Sequence, residues 1–310
     1  MSKKDKTKNE SGKKRVSYSQ FSNWWACRHR WYLDKVMKLS QFEDSINTCF
    51  GTAIHEAVQL YIETLYTAGA AKAAEHDLPT IFKEAFQREL NTAKSKTDKF
   101  VYTDEQFKEF ISDGEEIITA FLNSTNRMKY FPSGKYEFIG VEDEIIMPIK
   151  NNVDFICYID VILKEKGSGR YRIIDIKTST QAWNQYQKED QKKISQVLLY
   201  KAFYSRKYNV PINMIDVEFF ILKRKLYEGV DFPQSRIQSF VPRNTQKDVA
   251  GALNTFAEFI TESFKVDGSF NEDAKTYLKN PGKAKKNCKY CPHKGVNCDA
   301  KSDIPKEEQD

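Results

Sequence analysis

Residues 153–177 read VDFICYIDVILKEKGSGRYRIIDIK, and the fold follows from how this stretch is punctuated. Over 154–163 and again over 171–177, β-branched and aromatic residues dominate, the composition that suits a pleated, half-buried surface. The polar segment KEKGSGR between them supplies glycine for a reversal, so the two runs are expected to pair as a hairpin. Successive strand side chains point to opposite faces, so Asp175 and Lys177 emerge together while Ile176 faces the other way. An apolar strand that ends in a charged pair places charge at the margin of a core, where it needs compensation. An ordinary ion pair would supply it, and the tripeptide alone favours that plain explanation. Asp160 shifts the balance, because the hairpin can bring it beside Asp175, and two converging carboxylates repel unless a cation intervenes. A hard divalent ion with oxygen ligands, Mg²⁺ or Mn²⁺, is the natural solution.

Working outward, aromatic and aliphatic residues recur at helical spacing over 17–38, with Ser17 or Ser19 available as N-cap. Such a helix would bury Phe21, Trp24, Trp25, Tyr32 and Leu33. Helices are expected over 50–68, 80–98 and 103–127, then a turn at Pro132-Ser-Gly134 and a strand over 136–149. Beyond the hairpin come a helix over 187–207, strands over 215–223 and 236–241, and a helix over 245–264. The order is that of an α/β protein, a mixed central sheet flanked by helices, with an N-terminal helical arm and a cysteine-rich end. No repeat or linker divides it, so residues 16–298 are read as one domain: a helical part (16–130), a core (136–242) and a C-terminal helix with the cysteines (243–298).

The 310 residues carry 49 Lys and Arg against 43 Asp and Glu, an excess too small to imply a polyanionic partner by itself. Its distribution says more. Residues 1–15 hold seven basic and two acidic side chains, and residues 299–310 hold two basic and five acidic, so both ends read as disordered tails. Between Gly282 and Lys294 stand Lys283, Lys285, Lys286, Lys289 and Lys294 with no acid among them. That patch suits phosphates or a merely solvated surface equally well. The polar first residues lack the apolar stretch of a secretory signal, and no run approaches a membrane span, so a cytoplasmic protein without membrane contact is expected.

Asp160, the triplet Asp175-Ile176-Lys177 and the helical segment Gln196-Val-Leu-Leu-Tyr200 together resemble the RecB-like branch of the PD-(D/E)XK nuclease superfamily, whose fold is the restriction-endonuclease-like core. The resemblance runs from Cys27 to Cys298. It implies that the two acids bind the metal, that Lys177 is catalytic, and that Gln196 and Tyr200, one turn apart on a helix face, lie beside the site. They would contact the scissile strand or brace Lys177. It also implies a histidine ligand on a helix after a glycine, which Gly51-Thr-Ala-Ile-His55 matches. A lone helical histidine is otherwise more often a satisfied structural residue, and the neighbouring Glu56 points elsewhere. The implied metal set is His55, Asp160, Asp175 and Ile176; Lys177, Asp160, Asp175, Gln196 and Tyr200 form the catalytic set. One departure is that the family often has Pro or Gly close before the first acid, where Cys157 and Ile159 stand.

Six cysteines occur, and in an intracellular chain a disulfide framework is not expected. Cys288, Cys291 and Cys298 lie in one short stretch, NCKYCPHKGVNC, which needs a metal centre to order itself. Three thiolates call for a fourth. The same branch, with its CRISPR-associated and AddB-type members, has a remote cysteine before the nuclease motifs, and Cys27 fits that place. The resemblance therefore implies a structural [4Fe-4S] cluster on Cys27, Cys288, Cys291 and Cys298. The interval from Cys291 to Cys298 is one residue longer than the pattern, so zinc on four cysteines, or with His293 in place of one, is the alternative. Cys49 and Cys157 read as core thiols.

The expected function is metal-dependent hydrolysis of DNA, as an exonuclease on single strands or duplex ends in recombination, repair or processing. No phosphate-binding loop of the GxxxxGK[ST] kind is present, so unwinding would fall to a helicase or recombination partner. Two alternatives stand: a non-catalytic DNA-binding scaffold subunit of a recombination or CRISPR adaptation complex, and a nuclease acting on RNA. Trp24, Trp25 and Trp31 are available to stack on bases, though packing the arm helix is their plainer role.

Overall fold

A computed structural model describes residues 12–39 and 44–304. The elements run β1 (Lys14–Ser17), α1 (Tyr18–Ala26), α2 (Arg28–Lys35), α3 (Ile46–Thr67), α4 (Ala70–Ala73), α5 (Leu78–Lys96), α6 (Asp104–Leu122) and α7 (Ser124–Tyr130). They continue with β2 (Tyr136–Pro148), β3 (Val153–Glu165), β4 (Tyr171–Ser179), α8 (Gln185–Glu189), α9 (Gln191–Tyr208), β5 (Ile215–Lys223), β6 (Ile237–Phe240) and α10 (Gln246–Ser263). The sheet is mixed and six-stranded, in the order β1-β3-β4-β5-β6 with β2 also on β3, and helices flank it. The α/β architecture and the β3–β4 hairpin expected from the sequence are both present. Among the described residues no helix is long and apolar enough to cross a membrane.

Three expectations are corrected. The single helix over 17–38 is two helices, because Cys27 is extended between them (φ −159°, ψ 109°), and Trp25 and Tyr32 stay half-buried while Trp31 is fully buried. Lys14 and Arg15 belong to β1, which runs parallel to the start of β3, rather than to a disordered tail. Residues 299–304 of the acidic end are likewise held, with Ala300 buried and the Asp303 side chain accepting from the Lys279 N–H at 2.9 Å, while residues 1–11 and 305–310 lie outside the described residues. The helices expected over 103–127 and 187–207 are each divided, at Asn123 and Asp190, whose side chains cap the helix that follows.

By chain contacts the described residues form two compact units, one from residues 44–143 and 158–246, the other from residues 12–39, 144–157 and 247–304. In the first, α3 buries Phe50, Ile54, Ala57, Val58, Tyr61 and Ile62 at helical spacing. These pack with Phe82 and Phe86 of α5, Ile117, Ile118 and Phe121 of α6, and Ile174, Ile176, Phe220 and Leu222 of the sheet. Each of the Ile, Leu, Val and Phe side chains contributes about 1.5–3 kcal/mol on burial. Buried Asp113 of α6 is neutralised by Arg224 and Lys225 at 3.1 and 3.0 Å, and Arg224 lies 3.8 Å from the Phe110 ring centre. In the second unit, Phe21, Trp24, Trp31, Phe256 and Phe259 pack edge and face. Trp24 and Trp31 are fully buried there, so they pack the core and have no face free for bases.

Gly114 shows how closely α6 meets α5: a Cβ there would sit 2.2 Å from the ring of fully buried Phe82. Gly114→Ala is therefore expected to destabilise the protein by about 1–3 kcal/mol, despite the better helix propensity of alanine, because neither ring nor helix can yield freely. Denaturant unfolding that shows no loss would contradict this packing.

Candidate active site

The register Val161↔Ile174 and Ile162↔Ile173 of β3 on β4, extended by one pair, sets Asp160 opposite Asp175. Asp175 is 2% exposed. Its Oδ2 lies 2.8 Å from the partly exposed ammonium of Lys177. Burial pushes the Asp175 carboxyl up to about 6, with the Asp160 charge adding to the effect and Lys177 opposing it. Asp160 moves the other way. Burial would raise it too, but His55, Lys177 and the Ile176 N–H, which donates to its Oδ2 at 2.7 Å, outweigh that and hold it below the usual carboxylate range. The two acids thus differ in what surrounds them, one desolvated and the other hydrogen-bonded.

His55 comes from α3, its Nδ1 3.5 Å from Asp160 Oδ1. Burial works against its protonation and the Asp160 carboxylate more than compensates, so its pKa is raised. One turn earlier, Gly51 faces β4: a Cβ there would stand 3.2 Å from Thr178 Oγ1, tighter than a side chain readily accepts. The glycine lets the helix approach the strand next to Lys177. Glu56 does point away, to Arg88 of α5.

The structure adds a residue that the sequence reading did not single out. Ligand atoms of His55, Glu142 and Asp160 lie within 4.8 Å of one another, the only such group of three His, Cys, Asp or Glu among the described residues. Glu142 belongs to β2 and has a left-handed backbone (φ 50°), a conformation that a glutamate adopts only under constraint. Buried Gln59 supplies part of that constraint, its Nε2 donating to Glu142 Oε1 and to the Asp160 carbonyl, each at 3.1 Å. In the sequence Glu142 is one acid of the run Glu142-Asp143-Glu144, and nothing local marks it out. Asp143 accepts from the Tyr208 hydroxyl instead.

Gln196 and Tyr200 of α9 are buried and bonded to each other, Nε2 to hydroxyl at 2.8 Å. In the first turn of α9, Lys193 lies 4.8 Å over the Trp183 ring, and its pKa is lowered by burial and by nearby Lys192 and Lys177. His55, Glu142 and Asp160 can hold a divalent cation; Asp175, expected to share it, falls outside that group and sits beside it with Lys177, whose ammonium can meet a phosphate.

In the other unit, Cys27, Cys288, Cys291 and Cys298 line one cavity with His293. Backbone N–H groups of Asn280 and Ala300 donate to the Cys27 and Cys298 sulfurs, each at 3.4 Å. Among the described residues no three of these sulfurs come within 4.8 Å of one another. His293 is fully buried, with its Nε2 2.7 Å from Asp34 Oδ1 and Asn297 Nδ2 3.4 Å from its Nδ1. Cys49 and Cys157 are buried, and burial pushes the Cys49 thiol up to about 11.

The site is thus that of a hydrolase built to use a divalent cation. Compared with known families, residues 15–298 match the PD-(D/E)XK nuclease superfamily, and the chain belongs to it. Membership implies metal-dependent phosphodiester hydrolysis, with divalent ions such as Mg²⁺, and a nucleic-acid substrate. No curated protein matches the chain.

Two outcomes follow. Since the Asp175 carboxyl is raised in the fold, its contribution to stability is present below its ordinary value near 4 and is lost as the pH rises through about 6. In EDTA, Asp175→Asn should therefore gain on the parent protein across that window, by up to about 3 kcal/mol. A pH-independent difference in unfolding free energy would show that the carboxyl is not held up. Glu142→Gln and Gln59→Ala should each weaken Mn²⁺ binding in calorimetry by roughly tenfold; unchanged affinity in both would remove Glu142 from the site.

Proposed function

We propose that the protein is a DNA nuclease of the RecB-like branch, cutting single strands or duplex ends as an exonuclease. On this reading His55, Asp160, Asp175 and the Ile176 backbone hold Mg²⁺ or Mn²⁺, with Glu142 as an added ligand. The ion, when bound, supplies Lewis-acid stabilisation of the attacked phosphate and a water of lowered pKa. Lys177 neutralises Asp175 and places a cation where charge develops on the phosphate. Gln196 and Tyr200 brace the helix beside the site, and Lys193 faces the substrate backbone. The observation that carries the reading is a buried, raised Asp175 beside Lys177 and across from Asp160. A scaffold subunit has no use for so costly a juxtaposition.

A [4Fe-4S] cluster on Cys27, Cys288, Cys291 and Cys298 is the second part of the proposal. Its support is the convergence of four thiols on one cavity and the N–H groups aimed at two of the sulfurs. We place the activity inside the cell, in DNA recombination, repair or processing beside a helicase partner.

The test is cleavage of matched labelled single-stranded DNA, duplex DNA and RNA with Mg²⁺ or Mn²⁺, on anaerobically purified protein assayed for iron and zinc. DNA shortened from an end by the parent, with Lys177→Ala slower by about a hundredfold or more, is the expected result. Iron-loaded, folded protein that binds DNA but cuts nothing would leave the scaffold role, and preferential cutting of RNA would replace the substrate.

A further inference from the structure

The nuclease chemistry uses none of the segment 282–296, which is built unlike a plain solvated turn. Lys283, Lys285, Lys286, Lys289 and Lys294 are all exposed, and the segment contains no acid to offset them. Among the described residues Lys285, Lys286, Lys289 and Lys294 form no ion pair, and the neighbouring acid Asp299 is taken by Lys279 at 3.2 Å. At the tip Tyr290 is 82% exposed, its ring flanked by Lys289 Nζ at 5.1 Å. A large aromatic held in water, between two buried or half-buried cysteines, is a surface waiting for a flat partner.

The segment is also pinned. Ala284 and Lys285 are both left-handed (φ 49° and 56°), a run that L residues resist. Asn287 anchors it by donating to the carbonyls of Ala26 at 2.8 Å and Asn280 at 3.2 Å, and Asn280 Oδ1 in turn accepts from the Gly282 N–H at 2.9 Å. The lysines are therefore displayed by a shaped loop rather than trailing on a tail. Unpaired cations interleaved with an exposed ring match a single nucleic-acid strand, whose phosphates and unstacked bases alternate at that scale. A duplex hides its base faces and would meet the lysines alone.

We propose that residues 282–296 form a docking surface for a single strand of the DNA substrate, the lysines meeting phosphates and Tyr290 stacking on a base. This rests on the nuclease reading. The test is fluorescence anisotropy of a labelled oligothymidylate with the full chain in EDTA, where nothing is cut. Replacing Lys285, Lys286, Lys289 and Lys294 together by Gln should weaken binding about tenfold or more, and flatten the salt dependence by up to about 3 in log–log slope. Tyr290→Ala should weaken it roughly fivefold or more with the slope unchanged. A bromouracil-substituted strand should cross-link to Tyr290 in the unaltered protein, which decides the matter even if the quadruple variant misfolds. Equal binding by parent and variants, or cross-links only elsewhere, overturns the loop's role and leaves the nuclease reading standing. A parent that neither binds nor cuts DNA overturns both.

Discussion

The register of β3 against β4 is the constraint on which the site depends. Antiparallel pairing leaves no freedom in which residues face each other, and here it sets Asp160 opposite Asp175. In water such a pair would repel weakly; under a sheet covered by helices the repulsion is amplified by desolvation. The fold answers with Lys177 on one acid, and with His55 and the Ile176 N–H on the other. These partners compensate incompletely, because at Asp175 burial outweighs Lys177 and leaves the carboxyl raised. A protein selected only for stability would have placed an apolar residue there, so the residual cost points to chemistry.

Helix α3 carries the other half of the site in one stripe. Gly51, His55 and Gln59 follow each other at four-residue intervals, hence on one face. The glycine permits close approach to Thr178, the histidine meets Asp160, and the glutamine ties Glu142 to the Asp160 backbone. The same helix buries Ile54, Val58, Tyr61 and Ile62 in the core, so its position is fixed by packing. The proposed metal ligands are thereby held by the hydrophobic core rather than by loops, which keeps their geometry where a cation needs it.

Much of this was legible in the sequence because periodicity and charge placement coincide. The alternation in RIIDIK fixes which side chains share a face, and the glycine turn fixes the hairpin, so Asp160, Asp175 and Lys177 could be joined before any coordinates. Glu142 could not, since it lies on a strand whose acids look alike and its role arises from a left-handed backbone that sequence does not announce. The interruption at Cys27 was missed for a related reason. The aromatic pattern runs on at helical spacing across it, and only the extended backbone of that one residue separates the two helices.

That interruption also bears on why the cysteines stand where they do. Cys27 leaves the helix beside the C-terminal loop, where the Asn280 N–H donates to its sulfur. The loop itself buries little beyond Cys288 and His293, so apolar packing contributes almost nothing to its order. Its shape is set instead by polar struts, Asn287 to the α1 end and His293 to Asp34 of α2. A segment ordered in this way can carry unpaired lysines and an exposed ring without collapsing on them. Polar anchors hold backbone in place while leaving side chains on the solvent side free to meet a ligand, which a hydrophobic anchor of the same strength would have covered.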